Sequence, residues 1–204
     1  MNFENIKIIK NKEGKVICFS FIQNNTEYFG KLFHLDMRAD FIKERDINTY
    51  INTNIKDFKY CTKMLYAYEN ISIPNNLLIL LKNQCANAAN AANAANAANA
   101  AYNLMIFDYS GNHPLRYYIN KLSPKIFKKI IKQLREATEL FNDIGVIHYD
   151  MYCESNVMLK KEKNEWIIKI VDFGLSYIDL TDKTDSDYNT IIESIEHFNK
   201  KQII

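Results

Sequence analysis

Residues 145–176 read GVIHYDMYCESNVMLKKEKNEWIIKIVDFGLS. Two short strand patterns, NVMLKK and WIIKIVDF, flank the polar turn EKNE and predict a β-hairpin. His148 and Asp150 lie in the loop ahead of it, Asn156 opens its first strand, and Asp172, Phe173 and Gly174 close its second. A helix precedes the loop. Ser123 is placed as N-cap with Pro124 at the first helical position, because proline has no N–H to lose there. Phe127, Ile130, Ile131, Leu134, Ala137, Phe141 and Ile144 then recur at helical spacing, and Gly145 ends the run.

Towards the N-terminus, from Ile6 to about Leu35, the alternating runs IKIIK, VICFSFI and EYFGKLF are parted by NKEG and QNN, which reads as a strand meander. FIKERDINTYI has helical period, with Phe41, Ile47 and Ile51 on one face. KMLYAY and NLLILL read as strands. An Ala-Ala-Asn repeat occupies Cys85 to Asn103, and its small and polar side chains cannot build a core. YNLMIFDYSG reads as a buried strand running into a turn, and TIIESIEHF as a last helix. The pattern is α+β in two lobes: a β-rich N-lobe over residues 1–108 with an insertion at about 85–103, and a reduced, mainly helical C-lobe over 109–204.

Of 204 residues, 48% are apolar and 13% aromatic, enough for a substantial core. The net charge of +2 balances 26 basic against 24 acidic residues, which gives no warrant for nucleic-acid or membrane-surface binding. Cys18, Cys61, Cys85 and Cys153 are scattered, so a reducing compartment fits better than a disulfide framework or a zinc site. The first residues lack the apolar core of a signal peptide, and the longest apolar run, Leu77 to Leu81, is too short to span a bilayer. A cytoplasmic protein is expected.

His148-x-Asp150, Asn156 and Asp172-Phe173-Gly174, in this order after a helix and around a hairpin, resemble the catalytic and magnesium loops of protein kinases. The resemblance implies a two-lobed fold that uses ATP and Mg²⁺. Asp150 would receive or orient the proton of the attacking hydroxyl, and Asn156 and Asp172 would be hard oxygen ligands to the ion. His148 would brace the loop. It further implies a phosphate-holding lysine on the third strand, Lys31, paired with a helix glutamate, Glu44, with Asp46 as runner-up. NLMIFDYS would lead into the hinge, with Phe107 at its inner end and the main chain of Asp108, Tyr109 and Ser110 meeting adenine. Ser186-Asp187-Tyr188 resembles the start of the family's central C-lobe helix. Asp187 would either accept hydrogen bonds from the catalytic-loop main chain or be an ordinary acid at a helix N-terminus.

Four departures stand out. Gly14 alone replaces a glycine-rich phosphate loop. Asn156 is six positions after Asp150, one more than usual, and Ser155 sits where simple counting would put the asparagine. Tyr152 replaces a lysine near the transferred phosphoryl. Tyr149 replaces the arginine that binds an activation-loop phosphate, and no Ala-Pro-Glu follows Gly174. These features imply a constitutive, minimal Ser/Thr protein kinase of the kind found in secreted bacterial effectors and large DNA viruses, acting on a protein substrate, in a host cytoplasm if so. Two alternatives remain: a pseudokinase binding module, and a phosphotransferase for small molecules.

Overall fold

In the computed structural model, residues 3–12, 15–73, 76–80, 101–109, 111, 113–181 and 185–200 are described. The N-terminal alternation folds as the antiparallel strands β1 (Glu4–Lys12), β2 (Val16–Gln23) and β3 (Thr26–His34). Asn24 and Asn25, both at positive φ, turn β2 into β3, as a two-residue hairpin loop requires. β4 (Met64–Ser72) and β5 (Ala101–Asp108) complete a five-stranded sheet in the order β1-β2-β3-β5-β4.

Strand periodicity buries both faces of this sheet. Phe19, Phe21, Leu32, Leu104 and Ile106 share one core, while Phe33, Met64, Met105 and Phe107 share another with Phe41. Phe41 comes from α1 (Arg38–Asn54). Phe41, Ile47 and Ile51 are all buried, as their spacing predicts.

Two local readings are corrected. Residues 76–80 of NLLILL are helical, with Leu77 buried in the first of these cores. A short apolar run has no period that separates a strand from a buried helix. Ala101, Tyr102 and Asn103, read as the end of the repeat, are the first residues of β5, where Tyr102 and Asn103 are buried. The rest of the repeat, residues 85–100, lies outside the described residues.

The remaining elements are β6 (His113–Pro114), α2 (Pro124–Asp143), β7 (Val146–Ile147), β8 (Val157–Glu162), β9 (Glu165–Ile170), β10 (Tyr177–Ile178) and α3 (Ser186–Lys200). Ser123 caps α2 by accepting the Ile126 N–H at 3.4 Å. Ile130, Leu134, Ala137 and Phe141 bury its apolar stripe. β8 and β9 form the expected hairpin, turned by Lys163 and Asn164 at positive φ.

Packing divides the chain into two compact units, Met1–Arg45 with Met64–Tyr109, and Asp46–Lys63 with Ser110–Ile204. The sequence pattern assigns residues 46–63 to the first lobe, whereas they pack with the second unit. Ile47, Ile51, Ile55 and Tyr60 share its core with Leu134, Phe141 and Ile170. The Ile170 N–H donates to the Tyr60 carbonyl at 2.8 Å, and Lys169 Nζ to the Phe58 carbonyl at 2.6 Å.

Candidate active site

The site in the second unit starts where α2 stops. Gly145 leaves the helix at φ +69°, and a Cβ there would lie 2.9 Å from the Asp179 carbonyl oxygen. Glycine is required on both counts. β7 follows and pairs with β10, Ile147 opposite Tyr177. Tyr149 then adopts a left-handed conformation, φ +64°, costly for a side chain of its size.

Asp187 stabilises this bend. Its carboxylate, 5% exposed on the first turn of α3, accepts the His148 N–H at 2.6 Å and the Tyr149 N–H at 2.9 Å. Of the two roles left open for Asp187, the geometry selects the loop brace. Ser176 donates its hydroxyl to the His148 carbonyl at 3.2 Å. Sequence reasoning did not flag Ser176, and only its place two residues after Gly174 could have drawn attention.

The His148 ring is fully buried against Phe173, 4.8 Å between centroids. Its Nδ1 accepts the Asp150 N–H at 3.3 Å, and Nε2 lies 3.1 Å from the Val171 carbonyl. Those partners select the neutral tautomer with the proton on Nε2. Burial lowers its pKa further than the nearby Asp187, Asp172 and Asp150 carboxylates raise it. His148 thus ties the Asp150 loop to the strand leading to Asp172.

Asn156 Nδ2 donates to Asp150 Oδ2 at 2.7 Å and to the Asp150 carbonyl at 2.8 Å. A tight turn absorbs the additional loop residue. The Tyr152 carbonyl accepts from both Ser155 N–H (3.3 Å) and Asn156 N–H (3.1 Å). Cys153 points into the core, its N–H donating to Ser194 Oγ at 3.2 Å. Burial pushes the Cys153 thiol up to about 11, so it is no nucleophile at neutral pH. Ser155 is left exposed, whereas Asn156 is buried and bonded to Asp150.

β8 and β9 bring Asn156 and Asp172 to one end of their hairpin. Val157 pairs with Ile170, and the Val171 N–H donates to the Asn156 carbonyl at 3.0 Å. Asp172 is next in the chain, at φ +65° and ψ +68°, and Phe173 anchors it by packing on His148 and Phe141. Asp150 and Asp172 both lie close enough to His148 to act on its charge, and Asn156 is bonded to Asp150.

In the first unit, Lys31 Nζ lies 2.7 Å from Glu44 Oε2, and both side chains are buried. Register explains the match. Lys31 lies opposite Met105 on the face that also holds Phe33, and Glu44 is three residues beyond Phe41, which covers that face. Phe107 is buried near the end of β5, its ring 6.1 Å from that of Phe29. Asp108 ends the strand and Tyr109 follows it, while Ser110 and Gly14 lie outside the described residues.

Against this geometry, the sequence matches the protein kinase domain over residues 72–197, more than half of the chain. The chain belongs to the protein kinase domain family. Comparison with curated proteins finds none that matches. The kinase match takes in Asp150, Asn156, Asp172 and Asp187, whereas Lys31 and Glu44 precede it.

The kinase residues also suit a magnesium nucleotide. Among the described residues no three His, Cys, Asp or Glu side chains are grouped to enclose a metal. Mg²⁺ accepts one or two protein oxygens when phosphates and water complete its octahedron, and one carboxylate and one carboxamide are such donors. Asn156 commits its amide nitrogen to Asp150, so its oxygen is the atom left for an ion. Among the described residues, no helix is long and apolar enough to cross a membrane.

Proposed function

We propose that this chain transfers the γ-phosphoryl group of ATP to a serine or threonine hydroxyl of a protein, with Asp150 as the residue that orients the hydroxyl. The observation that carries the reading is the Asp150 carboxylate gripped by the Asn156 amide at 2.7 Å, on a loop whose main chain is pinned by buried Asp187. Phosphoryl transfer asks for positioning and charge compensation more than covalent chemistry from the protein. A carboxylate held at one oxygen, on a loop whose main chain is braced, meets the first need.

The roles divide among side chains. Asp150 holds one oxygen against Asn156 and offers the other to the hydroxyl proton. Asn156 Oδ1 and an Asp172 carboxylate oxygen would hold Mg²⁺, which when bound neutralises phosphate charge. His148, neutral and spent on two main-chain partners, positions the loop and moves no proton. Lys31, kept in place by Glu44, would meet the nucleotide phosphates, and the main chain of Asp108, Tyr109 and Ser110 would receive adenine. Tyr149 supplies no cation for an activation-loop phosphate, so activity needs no such modification. The acceptor is a cytoplasmic protein, of the host if the chain is an effector or viral product.

The test is Mg²⁺-dependent incorporation of labelled phosphate into the chain itself or a generic protein. We expect incorporation by the natural sequence and a loss of 100-fold or more in Asp172→Ala. Equal incorporation by both would overturn the assignment. No incorporation, with nucleotide still bound, would leave a pseudokinase module, and transfer only to small hydroxylated molecules would indicate the third alternative.

A further inference from the structure

Charge is balanced over the chain but not along it. Between Asp108 and Glu136 stand seven lysines and arginines and no acid, so the remaining residues are net negative. α2 gathers four of these cations. Lys125, Lys128, Lys129 and Lys132 recur at helical spacing on the face opposite its buried Ile130, Leu134 and Ala137, and all four are exposed. Lys121 precedes the helix, and Lys161 and Lys163 lie on the β8–β9 hairpin packed beside it; these three are exposed too.

The acids on this face leave much of the charge unmatched. Glu165 pairs with Lys129 at 3.6 Å, Glu136 with Lys132 at 3.5 Å and Glu162 with Lys160 at 2.9 Å. Arg135 is committed to Asp185 and Glu139, and Arg116 stands apart, its main chain joined to the Cys153 carbonyl next to Glu154. Lys121, Lys125, Lys128, Lys161 and Lys163 make no ion pair among the described residues. A row of rings crosses the same surface. His113 and Tyr117 stack with centroids 4.4 Å apart, Tyr117 meets Tyr118 at 5.1 Å, and Tyr118 meets Trp166 at 5.0 Å. Lys121 Nζ stands 3.4 Å from the Tyr117 centroid and Lys161 Nζ 5.9 Å from that of Trp166. Gln133 of α2 keeps the row beside the lysines, donating to the Trp166 carbonyl at 2.8 Å and accepting the Ile168 N–H at 3.0 Å.

We propose that this face binds single-stranded nucleic acid, with phosphates against Lys121, Lys125, Lys128, Lys161 and Lys163 and bases stacked on the His113–Tyr117 pair. Cations interleaved with rings suit such a strand: the first meet its regularly spaced charge, and any base offers a π-face to the second. An acidic peptide would use the lysines and leave the rings without a partner. A bilayer surface would need aliphatic side chains to insert, and Tyr117, 51% exposed, is the one large apolar side chain exposed among the described residues of this face. The surface shares no residue with Asp150, Asn156 or Asp172, and its binding needs no phosphoryl transfer.

The experiment uses the full chain and a fluorescein-labelled uridylate dodecamer, with polarisation read between 50 and 300 mM salt. We expect saturable binding whose affinity falls with salt, log Kd changing with log salt by about 0.7 for each phosphate neutralised. Tyr117→Ala should weaken binding five-fold or more and leave that slope unchanged, because it removes a ring and no charge. The double variant Lys125→Gln, Lys128→Gln should lower the slope by about 1.4, with thermal midpoints confirming that both variants fold. A duplex of the same length, a labelled poly-glutamate peptide and phosphatidylserine vesicles serve as alternative ligands, each expected to bind at least ten-fold more weakly. No binding at 50 mM salt would defeat the proposal, as would full affinity in Tyr117→Ala or binding of the peptide, duplex or vesicles as tight as that of the single strand.

Discussion

Asp187 satisfies two N–H groups at once, and both belong to a loop whose next residue is Asp150. A donor left buried without a partner costs about 1–3 kcal/mol. Asp187→Ala should therefore lower unfolding free energy by at least about 2 kcal/mol in urea titrations, and transfer activity should fall further than the residual folded fraction explains. Asp187→Asn, which keeps one acceptor oxygen, should lie between. Activity unchanged in a folded Asp187→Ala protein would show that the brace is dispensable. His148 makes a pH prediction. Burial keeps its imidazole neutral in the folded protein, with a pKa below the ordinary 6.5, so the unfolded chain takes up the proton first. Stability is fully present above about pH 6.5 and declines as pH falls below it, by at most about 1.4 kcal/mol per pH unit from this group, until the folded imidazole protonates too. Urea midpoints between pH 7.5 and 5.5 measure the slope. An identical slope in His148→Asn would remove His148 as its source.

Among the elements, β3 shows how narrow the tolerance is. A Cβ on Gly30 would stand 2.4 Å from the tip of the buried Phe19 ring, which lies across from it in β2. Gly30→Ala should cost about 1–3 kcal/mol by overpacking, visible as a lower thermal midpoint, and Phe19→Leu in the same chain should recover part of it by vacating the space. Additive losses in the double variant would mean the clash is relieved elsewhere. Elements with a clear period were legible from sequence: α2 from its stripe and cap, the β8–β9 hairpin from two alternating runs, the meander from polar breaks. Residues 76–80 were not, because five apolar-rich residues suit either a strand or a helix and tertiary burial of Leu77 makes the choice. Ala101–Asn103 are hard to tell from the repeat in sequence for a related reason. Their composition resembles it, while their conformation is set by pairing with β3 and β4.

At the scale of the molecule, a ligand that binds the native state raises the unfolding midpoint whatever its chemistry. ATP with Mg²⁺ at a hundred times its dissociation constant should add about 2.7 kcal/mol, a shift of roughly 5–10 °C for a chain of this size. Asp172→Ala should lose most of the Mg²⁺-dependent part and keep any nucleotide-only part. A flat response in the natural chain would contradict nucleotide binding.

The sequence by itself determined the family resemblance and the candidates Lys31, Glu44, His148, Asp150, Asn156 and Asp172, because motif order and spacing are properties of the chain. It also exposed the departures at Gly14, Tyr149 and Tyr152. Tertiary structure decided what spacing cannot encode. Asn156 rather than Ser155 meets Asp150 because the turn at Tyr152 folds Cys153 inward. Asp187 is a brace because α3 carries it, from nearly forty residues away, to the N–H groups of His148 and Tyr149. Residues 46–63 belong to the second unit because Ile47, Ile51, Ile55 and Tyr60 find their apolar neighbours there. Each decision depends on which distant groups exclude water together, and burial of that kind exists only once the chain has folded.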